Sequence, residues 1–147
     1  MKRAGTAARH DHTRSVFEGP PLSLLRAICL AQGIYFALTG VWALVNIRTF
    51  EVVTGPKVDR WLVKTVGALV TVIGGVLISA GARGRVSPAG GVEVPLLAVG
   101  SAAALAGIDA VYVAKRRISP IYLLDAVAEV ILIAGWAIGW RLGRRAG

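Results

Sequence analysis

Four stretches of this chain are long and apolar enough to cross a lipid bilayer. Residues 27–47, AICLAQGIYFALTGVWALVNI, hold no charged side chain, and neither do residues 65–82, TVGALVTVIGGVLISAGA. Residues 94–114 hold only Asp109, and residues 121–140 hold only Asp125 and Glu129. A hydrocarbon layer about 30 Å thick is crossed by roughly 20 apolar residues as a helix. The expectation is an all-α membrane protein, an antiparallel four-transmembrane-helix bundle with spans at about 24–47, 60–82, 94–115 and 120–142. Composition agrees: 55% of residues are hydrophobic and the mean hydropathy is +0.64, with only 17% charged. A secretory signal before a soluble domain is a poor alternative. The first run starts late, is too long for a signal core, and three more runs follow it.

The polar segments fit this frame. Residues 1–20, MKRAGTAARHDHTRSVFEGP, read as a disordered basic cytoplasmic tail, and residues 21–147 as the four-helix domain. The only two histidines, His10 and His12, lie in that tail, so histidine ligation of a haem inside the bilayer is excluded. The single cysteine, Cys29, allows no intrachain disulfide, and no CxxC pair supports zinc or thiol redox chemistry. No metal-ligand set and no cofactor motif is present. Loop one, RTFEVVTGPKVDR, has a turn at Gly55–Pro56, and its FEVV reads as a short strand or a surface-lying piece. Asp59 suits the N-cap of span two, Pro95 the first turn of span three, and Ser119–Pro120 the N-cap and first position of span four.

The net charge of +9 comes from basic residues at span ends. That points to topology and anionic headgroups, and away from nucleic acid. The side holding both termini and the second loop carries ten basic residues against seven opposite. Both termini are therefore expected in the cytoplasm of a bacterial cell, with the bundle in the plasma membrane.

Three carboxylates inside the spans need a reason. Each costs about 2.5–3.5 kcal/mol at a helix centre. All lie in the membrane half next to the first and third loops, and Lys64, Lys115, Arg116 and Arg117 lie there too. Asp109, Tyr112 and Arg116 share one side of span three, and Tyr122, Asp125 and Glu129 one side of span four. Span two has a narrow stripe of Lys64, Gly67, Thr71, Gly74 and Ile78, and span one a stripe of Gln32, Tyr35, Thr39, Trp42 and Asn46. The four stripes are expected to face each other. Asp109, Asp125, Glu129, Lys64, Tyr112, Arg116 and Tyr122 are the candidate ligand-binding residues.

Three functions fit. The site binds or translocates a small ion, a proton or an amphipathic ligand. Alternatively, the charges lock the helices of a structural or accessory subunit. As a third reading, Asp and Glu act as acid and base on a lipid-like substrate, although a nucleophile with its base is missing. Expected partners are membrane lipids and either a second copy or a larger membrane complex.

Two stretches, VTGPKVDRWLVKTVG at residues 53–67 and GIDAVYVAKRRISPIYLLDAVAEVILIAGW at residues 107–136, resemble segments of small uncharacterised bacterial four-span membrane proteins. In those, the first segment opens span two and a YLLDA–E segment opens span four. The resemblance implies the four-span fold and no particular activity.

Overall fold

In the computed structural model of the protein, residues 20–87 and 91–145 are described, with side chains from residue 23 onward. They form five helices: α1 (Pro20–Val45), α2 (Ile47–Thr54), α3 (Arg60–Ala82), α4 (Glu93–Ala114) and α5 (Tyr122–Arg145). Four of them, all but α2, are long and apolar enough to span a membrane. The basic tail expected over residues 1–20 lies outside the described residues except for Pro20, which opens α1.

The ends of these helices follow from local chemistry. Asn46 breaks the first span: its φ of −138° is not helical, and its Oδ1 accepts from the Thr49 amide at 3.1 Å, so it caps α2. FEVV is therefore helical and not a strand, with Val52 and Val53 exposed. Its apolar face carries Phe50, which packs edge-on against Trp42 at 5.5 Å between ring centres. Asp59 does sit at the N-cap of α3, but its side chain makes no capping bond there. Ser119 Oγ accepts from Ile121 N at 3.4 Å, but in a turn ahead of the helix: α5 begins at Tyr122, so Ser119 and Pro120 are not its N-cap and first position.

Two helices end in the same hydrogen-bonded turn. After α3, Arg85 N donates to Ala80 O and Gly84 N to Gly81 O, with Gly84 at φ 63°. After α4, Arg117 N donates to Tyr112 O and Arg116 N to Val113 O, with Arg116 at φ 54°. Such a turn needs a left-handed residue, and glycine takes that conformation without a Cβ penalty. Arg116 bears that penalty, about 1 kcal/mol. Arg116→Gly is expected to stabilise the protein by about that amount, read as a higher unfolding temperature; an unchanged or lower temperature would show that the guanidinium holds something more valuable.

Around the bundle the order is α3, α1, α5, α4. α1 packs extensively on α3 and also on α5, α5 packs on α4, and α3 barely touches α4. The α1–α3 contact is backbone against backbone. A Cβ on Gly40 would lie 2.5 Å from Gly67 O, and one on Gly74 would lie 2.6 Å from Ala37 N. Small residues allow this approach in lipid, where dispersion and not water expulsion holds helices together. Beside it, one end of the bundle closes around Leu25, Cys29, Leu77, Ala80, Val86, Ala98 and Trp136. Outward faces stay apolar: Leu38, Leu69, Val72, Leu96, Leu124 and Ile131 are each 60% or more exposed. Surface of that kind belongs against acyl chains.

Candidate functional site

The buried acids meet where α1, α4 and α5 converge. Tyr35 of α1 donates its hydroxyl to Asp125 Oδ1 of α5. Asp109 of α4 is only 7% exposed. Glu129, one turn after Asp125 along α5, is fully buried. Both Glu129 oxygens and Asp109 Oδ2 are buried without any hydrogen-bond donor. Buried polar atoms are ordinarily satisfied, so three orphaned carboxylate oxygens, two on Glu129 and one on Asp109, are a strong anomaly.

Deeper in the bundle the polarity is satisfied. Gln32 is fully buried; it donates to Ala98 O at 2.8 Å and accepts from Trp136 Nε1 at 2.7 Å. One amide thus ties α1 to both α4 and α5. Trp136 stands seven residues after Glu129 on the same face of α5, so this closed network forms the floor beneath the acids. Open grooves of about 410 and 440 Å³ occur elsewhere, the first beside Pro95, Trp140 and Arg141 and the second beside Val72, Ser79 and Arg85. Neither contains an acid of the cluster.

The first loop folds over the start of α5. Lys57 Nζ lies 4.6 Å from the centre of the Tyr122 ring and donates to Thr54 O at 3.1 Å. The loop is fastened by Glu51, which takes Arg60 Nε at 2.9 Å and Nη2 at 2.7 Å, and accepts from Lys57 N at 3.4 Å. The Arg60 guanidinium, by this forked bond, holds the Glu51 carboxyl below the usual carboxylate range. It is the one ion pair within 4.0 Å among the described residues.

Of the residues selected from sequence, Asp109, Asp125 and Glu129 come together, and Tyr122 stands at their rim. Lys64, Tyr112 and Arg116 do not join them; all three are exposed. The stripe that carries Lys64 is real, but its partner is α1: Gly67 and Gly74 are buried there, and α1 separates α3 from α5. Tyr112 is 46% exposed beside Lys115, at 5.7 Å. Arg116 is spent on the turn that ends α4. The basic residue that the structure places over the start of α5 is Lys57, above the Tyr122 ring. Tyr35 and Lys57 were missed as site residues. Tyr35 stood in a polar stripe with Gln32, which was the available signal; nothing marked Lys57, which depends on how a loop folds back.

Fold and site together define a helical integral membrane protein with an acid-lined interior. No family model, no curated protein and no solved structure matches the chain.

Proposed function

We propose that this protein binds a small cation within the membrane, between α1, α4 and α5, in competition with protons. The observation that carries the reading is Glu129, fully buried with both oxygens lacking a donor, next to two more carboxylates. Charges so placed oppose folding unless protons or a cation neutralise them. The fold supplies no buried lysine or arginine: among the described residues all are exposed or partly exposed. The termini of the proposed protein face the cytoplasm of a bacterial plasma membrane, so its first loop lies outside.

A structural role has one observation in its favour: Tyr35–Asp125 and Gln32–Trp136 fasten α1 to α5. The two readings separate in a thermal unfolding experiment on the purified protein in nanodiscs of zwitterionic lipid. Sodium, potassium and alkylammonium chlorides are titrated at constant ionic strength and several pH values. A binding site gives saturable stabilisation, about 2.7 kcal/mol at a hundredfold excess over Kd, weakening as pH falls and protons compete with the cation. Asp125→Asn removes it. A structural lock gives no saturable response to any cation, and that result rejects the proposal.

A further inference from the structure

The residue over the start of α5 indicates what sort of cation fits. Lys57 brings an ammonium group over the face of Tyr122, with a hydrogen bond to the Thr54 backbone carbonyl. Its backbone is clamped by Glu51, and the chain turns at Gly55 with φ 89°. The charge itself sits on a flexible four-carbon stem. Lys57 makes no ion pair within 4.0 Å among the described residues. Tyr122 precedes Asp125 by three residues and Glu129 by seven, so ring and carboxylates share one face of α5.

Building on the cation-binding reading, we propose that the natural guest is an organic ammonium ion, and that the Lys57 side chain is a tethered stand-in for its head, displaced when the guest enters. Three features favour an ammonium over an alkali ion. An aromatic face at the entrance attracts alkylated cations. An ammonium directs several N–H donors at separate acceptors, here the unpartnered oxygens of Glu129 and Asp109, which are buried by nine-tenths or more. The same acids do not form a set able to enclose a metal ion. The tether gives the lysine a high local concentration, so a free amine competes against it.

The test uses n-butylammonium and sodium chlorides on the full chain in nanodiscs, with dissociation constants read from thermal stabilisation. Wild type is expected to bind butylammonium about tenfold more tightly than sodium. Lys57→Gln is expected to tighten butylammonium about tenfold more, and sodium much less, because relief of mere charge repulsion would raise both alike. Tyr122→Leu is expected to weaken butylammonium selectively, and it probes the same path should Lys57→Gln fail to fold. If both cations bind and neither variant distinguishes them, the ammonium inference falls and the cation site stands. Weaker butylammonium binding in Lys57→Gln also overturns it, since Lys57 would then be part of the frame. If wild type and Lys57→Gln bind neither cation, the cation-binding reading itself fails.

Discussion

Glu129→Gln is expected to raise the stability of the protein by about 3 kcal/mol in cation-free, mildly alkaline buffer, the scale set by the cost of an acidic group at a helix centre. Glutamine matches glutamate in shape, so the fully buried side chain keeps its packing. What disappears is a charge whose two oxygens have no donor in the fold. The same variant is expected to lose the stabilisation that cations give to wild type. Gain without ligand and loss of the ligand response form the signature of a functional residue held at the expense of stability. The comparison is made by unfolding both proteins in nanodiscs with and without cation. Should Glu129→Gln prove less stable than wild type without cation, the carboxylate is already compensated within the fold and the case for a guest loses its main support.

The second large effect separates two adjacent glycines. A Cβ on Gly74 would lie 2.6 Å from Ala37 N and 2.7 Å from Gly33 O, both backbone atoms that cannot rotate away. Gly74→Ala must push α1 and α3 apart, at a cost of about 3 kcal/mol, the upper part of the range for overpacking. A Cβ on Gly75 meets nothing within 4 Å. Gly75→Ala is therefore expected to be neutral or to stabilise α3 by about 0.5–1 kcal/mol through helix propensity. The displacement should also reach the acid site. α1 carries Tyr35 and Gln32 on its other side, so Gly74→Ala is expected to weaken cation binding as well. Equal stability for the two variants would mean that α1 and α3 are not in backbone contact.

The membrane class and the number of spans were legible because they depend on length and hydropathy alone. A span must be apolar over its whole length, whatever its neighbours do. The helix starts near Asp59 and Ser119 were legible to within about two residues, although Asp59 makes no capping bond and α5 begins at Tyr122. For FEVV the strand alternative was wrong because four residues of β-branched and aromatic character do not reveal that Asn46 starts a helix just before them. The acid trio was legible through spacing: Asp125 and Glu129 are one turn apart, and Asp109 lies at matching depth on the preceding helix. Their partner was not. Lys64 was chosen for depth and stripe, and both were correct features of α3. A stripe shows only that a helix has a packing face, and the glycines of α3 pack on α1.

From the sequence alone came a four-helix membrane bundle with three acids in one membrane half, since periodicity and depth are properties of each helix by itself. Only the tertiary structure decided that α1 lies between α3 and α5, bringing Tyr35 and Gln32 to the acids and leaving Lys64 outside. Only it showed Lys57 folded back over Tyr122. Which helix faces which is decided by the close approach of Gly33 and Gly40 to Gly67 and Gly74, and interhelical fit of that kind is a property of pairs of surfaces, which no single stretch of chain contains.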